Sequence, residues 1–117
     1  MRILLVDDDP RMTRITARVL EKAGFEVEST NHSFGVLNLV AVSRPDVVVI
    51  DLKMPGLRGT ELLELLRADP ELAGTRVVLF SGVVEHELRA YAESANADGY
   101  LHKTAGPAAL VPLLEAS

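Results

Sequence analysis

The chain has 117 residues, a formal charge of -5, and neither cysteine nor tryptophan. That length suits one domain able to fold alone, burying roughly two-thirds of the surface its unfolded form exposes. No run approaches the ~20 apolar residues needed to cross a bilayer, and the missing cysteines remove disulfides, thiolate nucleophiles and zinc-thiolate sites, as suits a reducing compartment.

The opening Met1-Arg2-Ile3-Leu4-Leu5-Val6 runs straight into three aspartates, where a secretory signal would stay apolar, so a cytoplasmic location is expected. Without a Lys/Arg cluster or an aromatic platform the chain is expected to lack a grip on nucleic acid, and proteins are the expected partners.

Taken in chain order, Ile3 to Val6 is an apolar run that reads as a strand covered on both faces. Asp9-Pro10 then supplies an N-cap acid and a first-turn proline for a helix through Ile15, Val19 and Leu20 to Gly24. Phe25 to Ser29 alternates, as an edge strand does, and Ser33 caps a second helix with Leu37, Val40 and Ala41 inward. Val47 to Ile50 is the third strand. Thr60 caps a third helix, Glu61 to Arg67, which Asp69-Pro70 ends. Val77 to Phe80 is the fourth strand, Glu85 to Ser94 the fourth helix, and Gly99 to Leu101 the fifth strand. A last helix spans Pro107 to Glu115, kinked or shortened by Pro112.

Strands alternating with helices imply right-handed crossovers and a parallel sheet, and neither repeat nor linker divides residues 1–117. The expectation is a doubly wound (βα)5 α/β domain, a three-layer sandwich around a five-stranded parallel sheet. Such folds gather function beyond the carboxyl ends of the strands, where strand order reverses.

Those ends carry Asp7 and Asp8, then Asp51, Ser81 and Lys103. Crowded carboxylates repel one another unless a cation intervenes, and an all-oxygen set suits a hard ion, magnesium or in its place manganese. One acid can ligate directly, another through water, and a third can act as nucleophile, for which Asp51 is the candidate. A phosphoryl group moving to Asp51 would be stabilised by the metal, the Lys103 ammonium and the Ser81 hydroxyl. Asp9 reads as a helix cap only.

Four segments in order carry a resemblance over essentially the whole chain: Ile3 to Pro10, Val48 to Gly56, Val77 to Gly82, and Asp98 to Lys103. Together they resemble the receiver domain of bacterial two-component response regulators, the CheY-like, flavodoxin-like fold. The resemblance implies that a histidine kinase or phosphotransfer protein phosphorylates Asp51. It implies magnesium ligation by Asp8 and Asp51, by Asp7 largely through water, and by the backbone carbonyl of Lys53. It further implies a switch in which Ser81 turns toward the phosphoryl group and Tyr100 moves inward, altering the face of the fourth helix, fifth strand and fifth helix. That face would meet a downstream target or an attached output domain, or form a homodimer. The module is expected to signal rather than turn over substrate.

Several positions depart from the family pattern. Thr104 stands where proline usually follows the lysine, often after a cis bond; here the bond is either trans, with Lys103 aimed differently, or strained. Arg58 replaces a frequently acidic loop residue, and Lys53 and Val83 lie where phosphoryl lifetime is tuned. Lys53 either leans over the site or extends into solvent. His32, His86 and His102 share no metal-site spacing and read as surface residues.

Three rivals follow from the same residues. An aspartyl phosphatase would need an acid where Lys53 stands, and a flavin module would have its phosphate repelled by Asp7-Asp8-Asp9. The third is a receiver-fold interaction module working without phosphorylation. With no output segment after the last helix, a stand-alone regulator and the N-terminal receiver of a longer one are both expected readings.

Overall fold

The computed structural model describes residues 1–54 and 59–116. Among them five strands form one parallel sheet in the order β2-β1-β3-β4-β5. The strands are β1 (Arg2–Val6), β2 (Glu26–Thr30), β3 (Val47–Ile50), β4 (Arg76–Ser81) and β5 (Gly99–His102). The alternating second strand is an edge, as expected.

Sequence parity separates two cores. Leu4, Val6, Val48, Ile50, Val77 and Leu79 face one way and pack under α2 (Val36–Ser43), α3 (Gly59–Ala68) and α4 (Glu85–Ser94). Ile3, Leu5, Val47, Val49, Val78 and Phe80 face the other way, under α1 (Pro10–Lys22) and α5 (Leu110–Glu115). A strand whose alternate residues serve two cores must be apolar throughout, which is why β3 reads Val-Val-Val-Ile with all four residues buried. The three-layer sandwich follows.

Helix boundaries depart from expectation where backbone geometry overrides the cap residues. Asp9 does cap α1, its Oδ1 accepting from Arg11 N at 3.0 Å and Met12 N at 3.3 Å. The buried face of α1, however, is Thr13, Thr16 and Leu20, while Ile15 is exposed. Ser33 does not cap α2: its carbonyl accepts from Val36 N in a turn, and Gly35, at φ 81°, occupies the cap. Within α2, Val36 and Val40 point inward, and Ala41 is exposed. α3 is described from Gly59, so Thr60 lies inside its first turn rather than before it.

Phe25 precedes β2 and is buried in the α1–α5 core, while β4 and β5 each run one residue further than expected, to Ser81 and His102. The last helical segment is broken up. 3-10 turns at Lys103–Ala105 and Pro107–Ala109 precede α5, which leaves Pro112 third in a six-residue helix. In that first turn its missing N–H has no intrahelical acceptor to lose.

Candidate functional site

The strand order reverses between β1 and β3, which run side by side, with Val6 in register with Ile50. The next residue of each is a carboxylate, so Asp7 and Asp51 stand together at the switch point, both nearly buried. Asp51 N donates to the Val6 carbonyl at 2.9 Å, carrying the pairing one step past the strand. Asp8 is exposed beside them, and single carboxylate oxygens of Asp7, Asp8 and Asp51 all lie within 4.8 Å of one another.

Lys103 arrives from the far side, from the turn after edge strand β5. Its Nζ lies 2.6 Å from Asp7 Oδ2 and 3.0 Å from Asp51 Oδ2. No peptide bond among the described residues is cis, so the Lys103-Thr104 bond is trans and the lysine reaches both acids nonetheless. Of the two alternatives posed for that bond, the trans form holds without the lysine turning away from the acids.

Burial pushes the Asp7 carboxyl above its ordinary value, against the pull of the Lys103 hydrogen bond and the Asp9 N–H, which donates to Asp7 Oδ1 at 3.0 Å. Burial alone would lower Lys103, but its hydrogen bonds to Asp7 and Asp51 outweigh that, and the ammonium is held above its ordinary value. One cation shared by two buried acids, with a third beside them, leaves the crevice short of positive charge. A hard divalent ion fits that deficit and this all-oxygen donor set.

The remaining candidates are nearby but not equally engaged. Asp51 Oδ1 accepts from Lys53 N at 3.2 Å, and the Lys53 side chain is exposed, in keeping with the solvated alternative. Ser81 is fully buried at the end of β4, and its Oγ accepts from Val83 N at 3.4 Å. Tyr100 is half-buried against the core under α4. Arg58, with Pro55 and Gly56 of the Asp51 segment, lies outside the described residues.

Four features escaped the sequence reading. Asn31 follows β2 and donates from Nδ2 to the Asp7 carbonyl and to Thr13 Oγ1, both at 2.9 Å; inspecting the second strand's end as the others were inspected would have found it. Thr16 Oγ1 is buried without a partner among the described residues, and it lines a void of about 10 Å³ together with Asp7 and Asp51. Arg11, Arg14 and Arg18 gather around exposed Ile15 on α1, a basic face that helical spacing creates from scattered residues. His102, expected at the surface, is half-buried and caps the turn holding Lys103.

Residues 3–115 match the family model described as the response regulator receiver domain. The chain is 32% identical over 115 residues to the DNA-binding response regulator MtrA of Mycolicibacterium smegmatis, covering 98% of this chain and 49% of that protein. It is 36% identical over 118 residues to the sensory/regulatory protein RpfC of Xanthomonas campestris pv. campestris, covering 97% of this chain and 16% of that protein. The chain thus spans about half of one relative and a small part of the other. The structure of the BeF3-activated N-terminal receiver domain of Klebsiella pneumoniae RstA superposes with a TM-score of 0.88 at 26% identity, covering 99% of this chain and 97% of that one.

Proposed function

The chain belongs to the response regulator receiver domain family, and on that premise we propose that Asp51 accepts a phosphoryl group from a histidine kinase or phosphotransfer protein. The observation that carries the reading is the Lys103 ammonium bridging Asp7 and Asp51, two buried carboxylates just beyond neighbouring strands at the point of strand-order reversal.

In the transfer, an Asp51 carboxylate oxygen forms the new bond to phosphorus while the bond from phosphorus to the donor imidazole nitrogen breaks, its electron pair leaving with the imidazole. Held 3.0 Å from Asp51 Oδ2, Lys103 is placed to pair with the incoming phosphoryl oxygens. Asp7, Asp8, Asp51 and the Lys53 carbonyl would hold Mg2+, or Mn2+ in its place, which would supply positive charge to the carboxylates and the phosphoryl oxygens.

Once Asp51 is modified, Ser81 leaves its contact with Val83 N for the phosphoryl group, and Tyr100 moves inward. The change is read on the face of α4, β5 and α5, where Val84 and Tyr91 are exposed, by a protein target, an attached output domain or a second copy. Beside this site, the basic face of Arg11, Arg14 and Arg18 on α1 begins just after Asp8 and Asp9. This module works in the cytoplasm; among the described residues no helix is long and apolar enough to cross a membrane.

Intact-mass spectrometry with a small-molecule phosphodonor and magnesium tests the reading. One added phosphoryl group is expected in the parent and none in Asp51→Asn. No addition to the parent, with magnesium binding demonstrated, would move the function to an interaction module that works without phosphorylation.

A further inference from the structure

We propose that His102 and Thr104 form a clamp that aims the Lys103 ammonium into the acidic crevice; the inference rests on the phosphoacceptor reading for its functional consequence alone. β5 is the sheet edge and β3 lies two strands away, so the lysine crosses about 10 Å to reach Asp51. A flexible four-carbon stem starting at a free edge would sample many directions, and holding one of them depends on how its backbone is fixed.

That backbone is fixed from both sides. His102 ends β5 in register with Ser81, so its position is set by the sheet. Its Nδ1 accepts from Thr104 N at 3.2 Å and lies 2.8 Å from Thr104 Oγ1. Gly106 N then donates to the Lys103 carbonyl at 3.0 Å, closing the 3-10 turn Lys103–Ala105. The imidazole performs the task usually given to Asn, Asp or Ser at a helix N-cap.

The arrangement sets a requirement on the ring. Thr104 N–H can donate only if Nδ1 keeps its lone pair, which puts the ring proton on Nε2. Thr104 serves through its backbone N–H, with its hydroxyl converging on the same nitrogen. Lys103, lying between the two, is oriented by a bond that spans it. His102 is therefore a positioning residue, acting through Lys103.

The test uses the full chain as parent, His102→Ala and His102→Asn, the last retaining a side-chain acceptor able to cap the turn. Two readouts are taken: the rate of Asp51 phosphorylation by a small-molecule phosphodonor with magnesium, and the NMR titration of the Lys103 ammonium without magnesium. His102→Ala is expected to slow phosphorylation by roughly tenfold, a modest part of what a misplacement of about 1 Å can cause. The Lys103 titration should move toward that of an unpaired lysine, and His102→Asn should restore both. A parent that is not phosphorylated but whose Lys103 titration moves in His102→Ala would sustain the clamp and remove the phosphoacceptor reading. A Lys103 titration unchanged in folded His102→Ala would overturn the clamp.

Discussion

Lys103 Nζ lies closer to Asp7 than to Asp51, 2.6 Å against 3.0 Å, so the cation leans toward an acid whose ionisation burial opposes. The two acids occupy equivalent places, one residue beyond adjacent strands, yet Asp7 also accepts from Asp9 N, and Asp51 from Lys53 N. The crevice is built to hold more negative charge than its own lysine can neutralise.

Replacing Asp7 with Asn should therefore stabilise the metal-free protein at pH 7, by on the order of 1 kcal/mol. The Asp7 carboxyl is raised above 3.8 in the folded state. Its contribution to stability is present below that value and lost as pH rises through the folded pKa. Urea unfolding in EDTA should show a larger gain for Asp7→Asn at pH 7 than at pH 4. With saturating magnesium the order should reverse, because ligand binding to the folded state stabilises the parent more.

Removing the cation has the opposite sign. Lys103→Met leaves two nearly buried carboxylates without their shared partner, and about 1 to 3 kcal/mol should be lost at pH 7, less than for a fully buried pair because the ammonium is partly solvated. The Lys103 value is raised above 10.5, so its stabilisation is complete below that pH and disappears as pH rises through the folded pKa. The gap between parent and variant in urea midpoint should hold from pH 7 to 10 and narrow above 10.5.

The sheet and its parallel order were legible because a strand serving two cores has no room for polar residues, as β3 shows. The edge position of β2 was legible for the converse reason: Glu26, Glu28 and Ser29 are exposed along it. Caps were legible at Asp9-Pro10, where the side chain itself makes the bonds. They were not at Ser33, where the left-handed glycine two residues later sets the helix start.

Of the site, the meeting of Asp7, Asp8, Asp51 and Lys103 could be anticipated, since each follows a buried strand whose direction is fixed. Two of the supports could not. Thr13 and His102 act through side-chain bonds to backbone or hydroxyl partners, and nothing in their spacing distinguishes them from solvated helix or loop residues, whereas Asn31 directly follows β2 and its place at a strand end was open to the same argument as the acids. Thr13 and Thr16 lie against the sheet beneath the acids, on the buried face of α1 where their hydroxyls give no apolar signal.

Thr16 supplies a prediction of its own. Its Oγ1 is buried without a hydrogen-bond partner among the described residues, and an unsatisfied buried polar group costs about 1 to 3 kcal/mol. Thr16→Val keeps the branching and removes the hydroxyl, so it should raise stability by roughly 1 kcal/mol in thermal unfolding. An equal loss instead would mean that the hydroxyl has a partner, and a water in the adjoining void of about 10 Å³ would be its source.

Gly59 is a backbone-contact position with a direct bearing on Asp51. A Cβ there would collide with the Asp51 carbonyl oxygen and stand 2.9 Å from Leu52 Cα, contacts with main chain that cannot rotate away. Gly59 N also donates to the Leu52 carbonyl at 3.4 Å, tying the start of α3 to the segment that follows β3. The usual gain from replacing a helical glycine with alanine, about 0.5 to 1 kcal/mol, should be overturned here by overpacking of about 1 to 3 kcal/mol. Gly59→Ala is thus expected to lower the urea midpoint and, by displacing the Asp51 main chain, to weaken magnesium affinity severalfold in isothermal titration. A variant with parental stability and parental magnesium affinity would show that α3 can shift away without carrying Asp51 with it.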